Sequence, residues 1–133
     1  MTRIAVLDDY LHAAADAADW NSLGADVAFF HDTLHDRDAL IARLAPFDAI
    51  VMMRERTHFP RALLERLTNL KLLAGTGRRQ NNVDLEAATE LGIPVCITTG
   101  GGSHGNTTAE LTWALILAAM RQLPAQMASA KAG

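Results

Sequence analysis

A glycine-rich run between Thr98 and Glu110 carries the most recognisable chemical pattern of the sequence. Gly100, Gly102 and Gly105 fit G-x-G-x-x-G, in which glycines let backbone N–H groups approach a pyrophosphate at the start of a helix. The complete fingerprint also requires another strand and an acidic residue about 20 positions further on. No acidic residue follows Glu110. The residues alone therefore indicate either a partial cofactor loop or a flexible crossover that leaves the sheet.

Two pairs of arginines form a second candidate site. Arg54 and Arg56 follow the third apolar run of the chain, and Arg78 and Arg79 follow the glycines of the segment 75–77. A guanidinium offers a planar fork of donors that matches a carboxylate, and glycine lets backbone N–H groups turn toward a ligand. These segments predict either a site for a small carboxylate or four solvated surface arginines.

The remaining reactive residue types point to structural roles. Asp8 and Asp9 follow the first apolar run, as in phosphorylation receiver domains, but no aspartate ends the third run and no lysine follows the fifth run before Lys131. Turn and helix-cap chemistry is the interpretation that we favour for both aspartates. Cys96, the single cysteine, is predicted to be a buried small hydrophobe of a strand. No metal site is predicted, because the histidines lack ligand spacing with cysteine or carboxylate: His12, His31, His35, His58 and His104.

Composition excludes several classes of protein. Half of the 133 residues are hydrophobic, a fifth are charged, and the net charge of -3 gives no electrostatic case for nucleic acid or membrane partners. The longest apolar stretch, from Leu111 to Met120, is too short to span a bilayer. The first residues form a strand pattern and not a signal peptide. We expect a cytoplasmic protein.

The elements that must position these residues alternate regularly along the chain. Five apolar runs are separated by helical patterns, and the first of these helices is predicted over Leu11–Trp20. Strands without polar alternation indicate a parallel sheet covered on both faces. The prediction is a doubly wound α/β fold with five strands in the order 2-1-3-4-5. The strand runs are RIAVL, ADVAFF, FDAIVMM, LKLLAG and IPVCIT.

Local signals predict where several helices begin and end. Asp36 is a predicted N-cap, and Pro60 stands at the favoured first position of a helix. Thr107 and Glu110 form a predicted capping box at the start of the last helix. The helical pattern is lost over 124–133, where we predict a linker or a frayed end.

Four motifs in order resemble the D-isomer specific 2-hydroxyacid dehydrogenases, the family of D-3-phosphoglycerate, D-lactate, glyoxylate and formate dehydrogenases. They are MRERT (53–57), LKLLAGTG (70–77), NNVDLEAATELGIPVCIT (81–98) and AELTWALILAAMRQL (109–123). The resemblance covers nearly the whole chain. It implies the flavodoxin-like, N-terminal substrate-binding (catalytic) domain over 1–105, and a bridging helix over 106–123 toward an NAD-binding domain that this chain lacks.

The resemblance also implies roles for individual residues. Arg54 matches the substrate loop, and Gly77 with Arg78 matches the turn whose N–H groups hold the substrate carboxylate. Arg79 belongs to the same turn and stands where the family has a second glycine. Asn106 matches an asparagine near the cofactor. The catalytic arginine, glutamate and histidine of the family and its pyrophosphate loop come later, so the resemblance implies no catalytic residue in this chain.

The function implied is the substrate-binding part of an NAD(P)-dependent oxidoreductase that interconverts a D-2-hydroxy acid and a 2-oxo acid. We expect the isolated chain to be inactive and to bind no cofactor, with NAD or NADP used by the full-length enzyme. The expected partners are a small 2-hydroxy or 2-oxo carboxylate and a second copy of the chain, paired through the C-terminal helix. The alternative is a stand-alone domain that binds small anions or dimerises without catalysis.

Overall fold

The structure, a computed structural model, describes residues 1–77, 80–98 and 107–132. The chain divides into two compact units, Met1–Gly100 and Gly101–Gly133. The first unit contains the sheet, and the second contains the two C-terminal helices.

The sheet has five strands in the order β2-β1-β3-β4-β5, and all four strand pairs are parallel. This arrangement confirms the predicted α/β fold and strand order. Because every strand runs the same way, the carboxyl ends of all five meet at one edge of the sheet. The strands are β1 (Arg3–Leu7), β2 (Asp26–Phe29), β3 (Ala49–Met52), β4 (Leu72–Gly75) and β5 (Val95–Ile97).

Three helices connect the later strands of the first unit: α1 (Arg37–Leu44), α2 (Arg61–Leu64) and α3 (Leu85–Glu90). The Asp36 carboxylate accepts the Ala39 N–H at 2.8 Å, which confirms the predicted cap of α1. Pro60 is the N-cap of α2 and so lies one position earlier than predicted.

The core lies between the central strands and these helices. Ile50 and Leu73, on two of the three inner strands, have no exposed surface. Phe59 and Leu63 pack into the same cluster from the segment that follows β3. Each such side chain contributes roughly 1.5–3 kcal/mol by leaving water, so the loops at the carboxyl edge are attached to a rigid base.

The helix predicted over Leu11–Trp20 is wrong. The structure has turns there, followed by a short 3-10 helix, Trp20–Leu23. The Asp9 carboxylate accepts the N–H groups of Ala13 and Ala14, both at 3.1 Å, and the indole of Trp20 donates to the Ala14 carbonyl at 2.7 Å. Side chains therefore satisfy backbone groups that a helix would have paired, as short polar side chains often do.

Two further expectations differ from the structure. The segment predicted as a linker or frayed end forms helix α5 (Leu123–Ala132). Its alanines have high helix propensity, although they form no apolar stripe that a sequence pattern would detect. Cys96 is exposed and not buried, because β5 is an edge strand.

Helix α4 (Thr107–Met120) precedes α5 in the second unit. Gln122, at φ 52°, separates the two helices. Large apolar side chains of α4 are exposed, among them Leu111, Trp113, Leu115, Leu117 and Met120. Within the described parts of the chain, no helix is long and apolar enough to cross a membrane.

Candidate functional site

The carboxyl ends of β3 and β4 bring the two predicted substrate-binding segments together. Met52 and Gly75, the last residues of these strands, are paired in the sheet. The chain continues from them into the loop that carries Arg54 and into the turn that carries Gly77. Neighbouring parallel strands therefore place both segments at one edge, as the sequence predicted.

Thr76 connects the two segments directly. Its hydroxyl oxygen accepts the Arg54 backbone N–H at 3.2 Å, and its hydroxyl donates to the Met52 carbonyl at 3.2 Å. Its own N–H donates to the same carbonyl at 3.0 Å. The position of the Arg54 backbone is thus set from the neighbouring strand.

Arg54 has a left-handed backbone with φ 66°. This conformation is uncommon for a residue other than glycine and persists where the surrounding contacts hold it. The residue is exposed, and its guanidinium forms no side-chain hydrogen bond with any residue of the described ranges 1–77, 80–98 and 107–132. Its donors are available to an anion on a backbone that is already ordered.

The rest of this loop is fixed at several points. The Arg56 guanidinium donates to the Asp8 carbonyl and lies 4.5 Å from the centre of the Tyr10 ring. The Thr57 hydroxyl donates to Asp8 Oδ2 at 2.7 Å, and the Asn82 amide donates to the Thr57 carbonyl at 2.7 Å. Arg56 is therefore used by the fold, whereas the Arg54 guanidinium has no partner within the described ranges.

The turn after β4 packs closely around Gly75. A Cβ atom at this position would lie 1.8 Å from Nε2 of Gln80, so a larger residue would displace the Gln80 side chain. Oε1 of Gln80 is buried and has no partner among the described residues. The missing side chain of Gly75 thus leaves the space that the buried Gln80 amide occupies.

Several predicted residues cannot be placed. Arg78, Arg79 and Asn106 lie outside the described residues, as does the glycine run around Gly102. Of the predicted substrate-binding set, the structure therefore places Arg54 and Gly77.

Sequence reasoning missed the role of Asp8. Its side chain is 2% exposed, and its carboxylate accepts the hydroxyls of Thr33 and Thr57. The predicted turn chemistry is found at Asp9, whose carboxylate accepts the N–H groups of Ala13 and Ala14, and in the Asp8 backbone, whose carbonyl accepts the Tyr10 N–H at 2.9 Å. The sequence did contain a signal for these contacts. Thr33 follows β2 and Thr57 follows β3, and both strands are neighbours of β1 in the predicted order.

Asp9, at the same edge, is a buried carboxylate that accepts backbone hydrogen bonds. Burial raises the pKa of Asp9, but the N–H groups of Ala14 and Ala13 and the charges of His31 and His12 outweigh that effect and lower it. The rings of His12 and His31 are stacked with centroids 3.7 Å apart.

Two surface carboxylates have lowered pKa values for a simpler reason. The hydrogen bonds from Arg43 lower the pKa of Asp32, and the hydrogen bond from Lys71 lowers that of Asp48. Among the described residues, no group of three histidine, cysteine, aspartate or glutamate side chains could hold a metal ion.

A cavity of about 200 Å³ opens beside the loop that follows β3. Arg37, Arg56, His35 and His58 contribute its polar rim, and apolar residues such as Leu63 contribute its floor. None of the described residues that line it is an aspartate or a glutamate.

Comparisons with known proteins agree with this architecture. The family model of the D-isomer specific 2-hydroxyacid dehydrogenase catalytic domain matches residues 4–131. The structure of phosphoglycerate oxidoreductase from Vibrio cholerae O395 is 42% identical, with a TM-score of 0.82, and the match covers 100% of this chain. D-3-phosphoglycerate dehydrogenase from Archaeoglobus fulgidus is 36% identical over 97 residues, or 73% of this chain. The Mycobacterium bovis enzyme of that name is 38% identical over 94 residues, or 71% of this chain.

The matched region is only part of each relative. It spans 42% of the Vibrio cholerae chain, 18% of the Archaeoglobus fulgidus protein and 17% of the Mycobacterium bovis protein. The family match over 4–131 is consistent with the observed strand order and with the paired loops at the carboxyl edge. The chain therefore belongs to the D-isomer specific 2-hydroxyacid dehydrogenase family, of which it covers the catalytic domain.

Proposed function

We propose that this chain is the substrate-binding part of an NAD(P)-dependent oxidoreductase that interconverts a D-2-hydroxy acid and a 2-oxo acid. The observation that carries the proposal is the free Arg54 guanidinium on a backbone that is tied to the Thr76–Gly77 turn. Membership of the family supports the reaction class, since family members use NAD(P).

The role of this chain in the reaction is to bind and orient the substrate. Arg54 donates charge-assisted hydrogen bonds to the substrate carboxylate, and N–H groups of the turn that begins at Gly77 complete the site. Because the loop is ordered before binding, little conformational entropy is lost when the carboxylate is held. Arg78 and Arg79 belong to the same proposed turn, and Asn106 is the proposed contact on the cofactor side.

Bound NAD(P) supplies the hydride acceptor for oxidation of the hydroxy acid at carbon 2, and the hydroxyl proton passes to a general base. Following the family resemblance, we assign neither that base nor any other catalytic residue to this chain. Its contribution to the rate is positional, because holding the substrate carboxylate fixes carbon 2 relative to the reacting groups.

We further propose that the full-length protein is a cytoplasmic homodimer that pairs through its C-terminal helix. The exposed apolar side chains of α4 support this pairing, since Trp113 is 64% and Leu115 62% exposed. Exposed apolar surface of this kind is typical of interaction sites. The net charge of -3 argues against nucleic acid or an anionic membrane as the partner.

Titration with oxalate, an unreactive mimic of a 2-oxo carboxylate, tests the binding site in this chain. Amide signals of Arg54, Thr76 and Gly77 in ¹⁵N-resolved NMR spectra should shift in a saturable manner. Arg54→Ala should weaken binding about tenfold or more, as expected for loss of a charge-assisted contact. Arg66→Ala, which removes another exposed arginine, is the matched control. Equal affinities of the two variants would contradict the proposal.

A further inference from the structure

We propose that Asp8 is a positioning residue, whose buried carboxylate clamps the β2–α1 and β3–α2 loops together and so holds Arg54 in its binding conformation. The inference rests on the proposed function for the identity of the ligand. The clamp itself is a property of the described residues.

Asp8 lies directly after β1, between the strands whose loops it contacts. Oδ2 accepts the Thr57 hydroxyl at 2.7 Å, and Oδ1 accepts the hydroxyl of Thr33. The Asp8 carbonyl accepts from Arg56. One residue at the end of β1, the strand between β2 and β3, therefore receives donors from the loops that follow both of these strands.

These contacts extend into a closed ring. A carboxylate only accepts hydrogen bonds, so the Thr33 hydroxyl donates its single proton to Asp8, and the Tyr10 hydroxyl must donate to Thr33 Oγ1. The Tyr10 ring in turn lies under the Arg56 guanidinium, which donates back to Asp8. Side-chain networks of this kind stabilise more than single deletions of their members suggest.

A carboxylate suits this place for a specific reason. Burial of an ionised group is costly unless it is hydrogen-bonded, and Asp8 is 2% exposed. Two acceptor oxygens can each satisfy one threonine, whereas an amide has only one acceptor oxygen and adds donors that face hydroxyl groups. Asp8→Asn therefore disrupts the clamp with little change of side-chain volume.

The consequence for the site follows from the short distance along the chain. Arg54 lies two residues before Arg56 and three before Thr57. Its left-handed backbone, at φ 66°, must be maintained by neighbouring contacts. Thr76 holds one end of this segment and Asp8 holds the other, so release of Asp8 should let Arg54 relax.

NMR relaxation of the ligand-free chain tests the clamp. In Asp8→Asn and Thr57→Val, order parameters over 54–57 should fall from about 0.85 to below about 0.6, while those of β3 and β4 stay unchanged. Thr57→Ser keeps the hydroxyl and should restore the rigid values. Asp16→Asn, at an exposed aspartate, is the matched control. Rigid loops in both Asp8→Asn and Thr57→Val would overturn the inference.

Oxalate titration of the same variants distinguishes the clamp from the proposed function. Asp8→Asn and Thr57→Val should weaken oxalate binding about fivefold or more. The apparent affinity falls because the conformation that binds oxalate is less populated in these variants. If the loops become mobile in the variants but the variants bind oxalate as tightly as the wild-type chain, Asp8 does not position Arg54 and the inference fails. Absence of oxalate binding by the wild-type chain would refute the proposed function, whereas the mobile loops would still support the clamp.

Discussion

Arg54 and Thr76 are joined across neighbouring loops by a hydrogen bond of 3.2 Å from the Arg54 backbone N–H to the Thr76 hydroxyl oxygen. Thr76→Val removes this acceptor and also the hydroxyl that donates to Met52. We expect a loss of about 1 kcal/mol in the free energy of unfolding, the usual net value of such a bond. Urea denaturation measures it, and Thr76→Ser should recover most of the loss. A Thr76→Val protein as stable as the wild type would show that the bond contributes nothing.

Arg54→Ala should lower kcat/KM by about 10- to 100-fold in a complete enzyme that carries this domain. The expected loss corresponds to one charge-assisted contact of about 1.5–3 kcal/mol in the transition state. Steady-state kinetics with the natural 2-oxo acid gives the value. Wild-type kinetics in the Arg54→Ala enzyme would exclude Arg54 from the substrate site.

Asp9 should make the stability of the first unit depend on acidic pH. Its pKa is lowered in the folded chain from the ordinary value of 3.8, so the ionised form stabilises the fold. This stabilisation is complete above the unfolded-state pKa and is lost as the pH falls through the lower folded-state pKa. Unfolding free energies from pH 6 down to pH 2 should decline less steeply in Asp9→Asn than in the wild type. Asp16→Asn should follow the wild-type curve, and an identical decline in Asp9→Asn would refute this role.

The sheet could be predicted from the sequence because its signals are local and repeated. Runs such as Ile4–Leu7 and Ala49–Met52 are continuously apolar. This pattern is typical of strands that are covered on both faces. The cap at Asp36 marks a helix start in the same local way. The order of the strands then follows from the few topologies that five parallel strands allow.

The helix predicted over Leu11–Trp20 failed because side chains of nearby residues captured backbone groups that a helix would have paired. Alanines favour a helix there, but Asp9 accepts two of their N–H groups and Trp20 takes the carbonyl of Ala14. No pattern of apolar spacing reveals which backbone groups a side chain will capture. The same limitation hid the Asp8 clamp, which joins residues that are 25 and 49 positions apart.

Helix α4 should mediate self-association of the chain. Trp113, Leu115 and Met120 are among its exposed apolar side chains, and their burial would be worth roughly 25 cal/mol per Å². Trp113→Asp places a charge in that surface and should convert a dimer to a monomer at tens of micromolar. Sedimentation velocity measures the change. Lys131→Ala near the end of α5 is the control, and a wild-type chain that sediments as a monomer would contradict the prediction.

The chain alone should neither oxidise 2-hydroxy acids nor bind NADH tightly. In dinucleotide-binding units the pyrophosphate lies on a glycine-rich turn after the first strand, whereas β1 is followed by Asp8 and Asp9, two buried aspartates. If N–H groups at the start of the last helix contact a phosphate, we expect the affinity to be no tighter than about millimolar.

NADH fluorescence and calorimetry with NAD measure this affinity directly. Turnover is measured with glyoxylate and hydroxypyruvate against a control without protein. A Gly102→Ala variant should leave both readouts unchanged, because the glycine run is not expected to be a working cofactor loop. Micromolar binding that Gly102→Ala abolishes, or turnover above the control, would show instead that the run from Gly100 to Gly105 binds the cofactor itself.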